Sequence, residues 1–112
     1  MSKKQFIQNL DKMVERDFDQ NETLQQLQMN QSIYWSWGVS NVFRIGHNAL
    51  MLEVNGFIHK GWVMVTLAWD DTYVFRLLNK QYNEVYKETD VYCDMLVERI
   101  DIKIEKQDNY VF

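Results

Sequence analysis

At residue 32 the hydrophobic period of this chain changes from 3.6 to 2, and that switch limits the folds open to it. Before it, Phe6, Leu10, Met13 and Val14, with Ile7 alongside, share one face of an amphipathic helix over residues 3–17. Ser2 and Gln5 have capping-box spacing at its start. Asp19 and Glu22 are set to cap a short second helix over "ETLQQLQ", with Leu24 and Leu27 inward. After the switch, Ile33, Trp35 and Trp37 fall on one side of a strand, opposite Ser32, Tyr34 and Ser36. "GVSN" turns the chain into a short "VFRI" segment. In "NALMLEVNG", Leu50, Leu52 and Val54 alternate with Met51 and Glu53. Asn55-Gly56 marks a hairpin whose loop runs on to Gly61. "GWVMVTLAW" is apolar on both faces, the pattern of a central strand covered on both sides. Asp70-Asp71 makes the turn into "TYVFRLL", and "NKQ" the turn into "YNEVYKE". That last run has the polar alternation of an edge strand, on which Tyr82 and Tyr86 share a side with Glu84 between them.

Thr89 or Asp90 is expected to cap a final helix in which Tyr92, Leu96, Ile100 and Ile104 recur every fourth residue, with Met95 beside them. "RIDIKIE" also alternates with period two, but the ladder of fourth residues starts earlier and favours helix. These elements predict an α+β protein in one domain, residues 1–112. A helical region over 1–30 leads into an antiparallel meander of four to six strands over 31–88. A C-terminal helix over 89–106 packs on the sheet together with the N-terminal helix.

Composition supports this scheme. The 112 residues include no proline, where average usage would give about five or six. Turns therefore rest on Gly38, Gly46, Gly56 and Gly61 with nearby Asn and Asp. With 46% hydrophobic residues, the chain can form a core without staples. The net charge of −4 argues against a phosphate-binding surface. It is concentrated in residues 84–112, where eight acids face four bases. This describes a solvated helix face, or one that meets a basic partner or mimics nucleic acid. Cys93, the single cysteine, is expected to be an inert, partly buried thiol. "MSKKQFIQNLDKM" lacks a secretory apolar run, and no stretch approaches the roughly 20 apolar residues of a membrane span. The expected setting is cytoplasmic, without membrane contact.

The residues that carry chemistry are few. His47 and His59 lie on opposite sides of a predicted strand and lack metal-ligand spacing. Both are expected in exposed loops, and Asp70-Asp71 suits a turn better than a carboxylate pair. No nucleophile elbow, phosphate loop or paired-cysteine motif occurs, so no catalytic residue, metal ligand or cofactor is assigned. The aromatic residues stand out. Trp35 and Trp37, sharing a side with Ile33, are expected in the core. Tyr34, Tyr82 and Tyr86 supply surplus surface for another protein or for a homodimer. A second reading stacks single-stranded nucleic acid on Trp35, Trp37 and Tyr73, although only four cations occur over residues 30–83. A third is a small enzyme built on Asp70, Asp71 and one histidine. The candidate binding positions are thus Tyr34, Trp35, Trp37, Asp71, Tyr73, Tyr82 and Tyr86.

Gly38 with Asn41, "NALMLEV" at 48–54, "VTL" at 65–67, "DTYVF" at 71–75 and "VYCDML" at 91–96 occur in an order that resembles small proteins of bacteriophages and integrative elements of gut bacteria. The resemblance covers roughly residues 22–105. It implies an accessory protein of a mobile element acting inside a bacterial cell, with no activity or catalytic residue to carry over. This chain departs from the pattern at Trp35 and Trp37, where the family has smaller or non-aromatic residues, and in the added helix over 3–17.

Overall fold

Five antiparallel strands in sequential order form one open sheet, and the chain passes from one of its faces to the other. The computed structural model describes residues 3–105. The strands are β1 (Asn41–Ile45), β2 (Ala49–Asn55), β3 (Lys60–Leu67), β4 (Tyr73–Leu78) and β5 (Glu84–Val91). The helices are α1 (Lys3–Asn9), α2 (Gln20–Gln28), α3 (Gln31–Ser36) and α4 (Leu96–Ile104), with 3-10 turns at Leu10–Lys12 and Cys93–Met95. The architecture is the expected α+β one, with a helix from each end of the chain on the sheet.

The alternation within each strand divides the core in two. On one face Leu50, Leu52, Val54, Val63, Val65, Phe75 and Leu77 meet Leu27 of α2, Tyr34 of α3, Trp37 just after it, and Leu96, Ile100 and Ile104 of α4. On the opposite face Ala49, Met51, Trp62, Met64 and Leu78 meet Phe6 of α1 and Leu10. β3 is central and buried on both sides, as its unbroken apolar run predicts. Gln20, at the start of α2, donates from Nε2 to the Ala49 carbonyl at 2.6 Å, anchoring the helix to the β1–β2 hairpin.

Residues 31–36 are helix, not the first strand of the sheet. Asn30 caps this helix by accepting from the Ile33 amide at 3.2 Å, and Gly38 ends it at φ +60°. Helical spacing puts Tyr34 and Trp37 in the core while Trp35 points outward at 74% exposure. The two indoles expected to share a side therefore have opposite environments.

The helices are also shorter than their periodicity suggests. α1 ends at Asn9, not residue 17, and the capping residue expected there, Ser2, lies outside the described residues. Thr89 and Asp90 cap nothing. They belong to β5, where a register shift against β4 and Asp90 at φ +58° mark a bulge, and a 3-10 turn after Tyr92 leads into α4 at Leu96. Residues 99–104 are helical, and residue 106 of the predicted helix lies outside the described residues. Tyr92 is exposed, so the buried stripe of α4 is Leu96, Ile100 and Ile104. Cys93 is exposed, contrary to expectation.

The α4 C-terminus is finished by the β2–β3 loop. The amides of Ile58 and His59 donate to the Ile104 carbonyl at 2.7 and 3.2 Å, satisfying a helix-end acceptor. Gly56 makes this approach possible, because a Cβ there would lie 2.6 Å from the Ile104 carbonyl oxygen. Among the described residues, no helix is long and apolar enough to cross a membrane.

Candidate functional site: an aromatic groove beside an edge strand

Three helical segments cover the first face of the sheet, whereas α1 covers only part of the second. A groove of about 550 Å³ remains there, between α1 and the β1 side of the sheet. Strand register builds its floor: Phe43 opposes Met51, Glu53 opposes Trp62, and all four lie on this face. Successive rings form a row. Phe43 lies 5.6 Å from Trp62, Trp62 lies 5.7 Å from Tyr82, and Tyr82 stacks on Phe6 at 5.2 Å.

Tyr82 reaches the row through a strained turn. Asn79 accepts from the amides of Gln81 and Asn83 through Oδ1, and its carbonyl accepts from the Tyr82 amide. This turn holds Tyr82 at φ +66°, a left-handed conformation that costs a bulky residue roughly 1–2 kcal/mol. The same turn offsets Tyr82 from Tyr86. A register shift between Leu77 and Leu78 sends Tyr86 to the opposite face, against Phe75, so the two tyrosines do not share a side.

Polar groups at the groove are few. Glu53 accepts from Asn41 Nδ2 at 2.6 Å and Ser40 Oγ at 3.2 Å, so its carboxylate is anchored to the strand edge. Lys3 and Arg44 lie at the margin, and Ile7 and Phe43 are about half exposed at the mouth. The walls can remove an apolar side chain from water, worth roughly 1.5–3 kcal/mol for a large one. Among the described residues, no group of three His, Cys, Asp or Glu side chains can hold a metal ion.

Of the positions singled out in the sequence, only Tyr82 belongs to this groove. Tyr34 is buried against Trp37, whose indole N–H donates to Asp101 Oδ1 at 2.9 Å. Trp35 stands exposed on the outer side of α3. Tyr73 shares a hydrogen bond of 2.8 Å with Thr23 and meets Phe18 edge to face, and burial raises its pKa. Trp35, Trp37 and Tyr73 therefore form no common stacking platform. Tyr86 donates to Glu88, which raises the phenol pKa, and Lys103 lies 4.7 Å from its ring centroid. Arg99 also pairs with Glu88, so charge there is balanced internally.

Asp71 occupies the β3–β4 turn at φ +67° and pairs with Arg16. Neighbouring Asp70 accepts from the Thr72 hydroxyl and amide, which lower its pKa, so both acids serve the turn. His59 precedes β3 and Asp70 follows it. Eight residues at about 3.3 Å each separate them by roughly 26 Å, so they converge on no common site. His59 is half-buried rather than exposed, and burial lowers its pKa, opposed by hydrogen bonds with the backbone of Trp62 and Leu78. The linked stability is full above the ordinary value of 6.5 and falls as pH drops from there to the lowered folded-state value. Urea midpoints at pH 7.5 and 5 are expected to differ less for His59→Gln than for the wild type. An equal pH dependence would assign the loss to other groups.

In the sequence, Phe43 and Trp62 stand only as members of the strand runs "VFRI" and "GWVMVTLAW", and Phe6 only as a core residue of the first helix. The signal available was parity: Phe43, Met51 and Trp62 each sit at the groove-facing phase of a period-two run. Compared with known proteins, the chain matches no family model, no curated protein and no solved structure.

Proposed function

We propose that this chain is a non-enzymatic protein-interaction module that receives an apolar side chain of its partner in the groove beside β1. The supporting observation is the row Phe43–Trp62–Tyr82–Phe6, whose outer ring, Phe43, is 48% exposed on an edge strand. Apolar walls with few convergent polar groups suit recognition by burial. The role is compatible with an accessory protein of a mobile element, the setting suggested by the sequence resemblance.

The reading is tested by selecting binders from a displayed random peptide library and comparing wild type with Phe43→Lys. Selected peptides are expected to carry a large apolar residue and to bind Phe43→Lys at least ten-fold more weakly. The substitution should alter stability by less than about 1 kcal/mol, because the site is half exposed. Peptides that bind both proteins equally would place recognition elsewhere.

A further inference from the structure

The two edges of the sheet differ in how they meet solvent. β5 carries Glu84, Lys87, Glu88 and Asp90 and has two register shifts against β4, features that discourage pairing with another strand. β1 has less of both. It pairs with β2 in unbroken register and holds one charge, Arg44. Among the described residues, no strand lies on its outer side. Asn41, Phe43 and Ile45 face the groove. Val42 and Arg44 face the helical side, where Arg44 donates from Nε to Asn21 Oδ1 at 2.7 Å.

Arg44 is exposed and takes part in none of the three ion pairs among the described residues. Lys3, at the groove mouth, is also outside those pairs. A protein of net charge −4 thus presents unneutralised cations on both sides of its open strand edge.

From this edge we infer that the groove's partner is an extended, locally acidic segment of another protein, which adds to β1 as a sixth strand. This rests on the binding role proposed for the groove and specifies the occupant. Added antiparallel, such a segment would place an aromatic residue opposite Phe43, prolonging the ring row, and an acid opposite Arg44. A β-branched residue would oppose Val42. The recognised pattern, from N- to C-terminus, is apolar, acidic, aromatic, β-branched. A second copy of the chain fits less well. Antiparallel self-pairing centred on Phe43 puts Arg44 opposite Val42 and sets the two arginines about 7–8 Å apart on one face, with no acid on β1 to offset them.

Two capped synthetic peptides test the inference, Ser-Ile-Glu-Phe-Val-Ser and its counterpart with Lys in place of Glu. Affinities are measured with the full chain, and hydrogen exchange is followed at the amides of residues 41–45. The Glu peptide is expected to bind wild type at least ten-fold more tightly than the Lys peptide, against the protein's overall charge. Arg44→Glu, which lies at an exposed position, is expected to invert that preference with only a small loss of thermal stability, from the hydrogen bond to Asn21. The Glu peptide is also expected to slow exchange along β1. Equal affinity for both peptides, lost in Phe43→Lys, would overturn strand addition with an acidic residue and leave the groove intact as a binding site. Binding without protection of β1 would overturn it too. If neither peptide binds while library-selected peptides do, the pattern is wrong and the binding role survives. If library selection also yields no groove-dependent binder, both fall.

Discussion

Replacing Trp37 with alanine is expected to cost about 3–5 kcal/mol, the range for truncating a buried tryptophan. The indole is fully buried between the sheet and the helices, touches Tyr34, and donates to Asp101. The loss compares with a total stability of roughly 5–15 kcal/mol for a domain of this kind, so the variant would be partly unfolded or nearly so. Trp35→Ala, two residues away, is expected to change stability by no more than about 0.5 kcal/mol, because that ring is 74% exposed. Trp37→Phe separates the two contributions at residue 37. It keeps most of the buried ring and gives up the hydrogen bond to the Asp101 carboxylate, worth about 1.5–3 kcal/mol. Urea denaturation of the three variants gives the ordering directly. Similar midpoints for Trp35→Ala and Trp37→Ala would contradict the helical placement of these residues.

A second large effect is expected at Arg76, on the groove face of β4. Its side chain is 8% exposed, Glu84 accepts from its Nε at 3.0 Å, and Nη1 is buried without a hydrogen-bond partner. Glu84→Ala would strand a buried guanidinium. Breaking a fully buried pair costs about 3–5 kcal/mol, and the 42% exposure of Glu84 lowers the expectation here to about 2–3 kcal/mol. Arg76→Met removes the charge together with its unsatisfied nitrogen and is expected to be neutral or stabilising by about 1 kcal/mol or more. The contrast in sign is the useful result, since a pair held together by its own attraction would lose stability in both variants. Thermal melts at neutral pH suffice to measure it.

Glu84 and Tyr86 also show where local patterns mislead. Both were expected beside Tyr82 on a plain alternating strand. The bulge next to Leu78 instead leaves Glu84 on the groove face with Arg76 and turns Tyr86 to the other face. One additional residue in a strand reverses every later side chain, and no residue type in "YNEVYKE" announces it. At residues 33–37 the ambiguity was different. Ile33 and Trp37 satisfy both a strand's second-residue repeat and a helix's fourth-residue repeat. Asn30, which caps the helix, and Gly38, which ends it at φ +60°, are the residues that discriminate between the two.

Much of this protein follows from short-range chemistry. The inward phase of β2, the two-sided burial of β3, the Asp19 cap of α2 and the helical stripe of α4 each depend on residues within a few positions of one another. Steric and capping rules act at that distance, and a linear string displays them. The groove is different in kind. Phe6, Phe43, Trp62 and Tyr82 come from four separate elements, and they meet only because hairpin register aligns their phases and α1 covers one face incompletely. Register and cover are settled by which distant surfaces bury the most apolar area together, a competition among the elements that no single segment records.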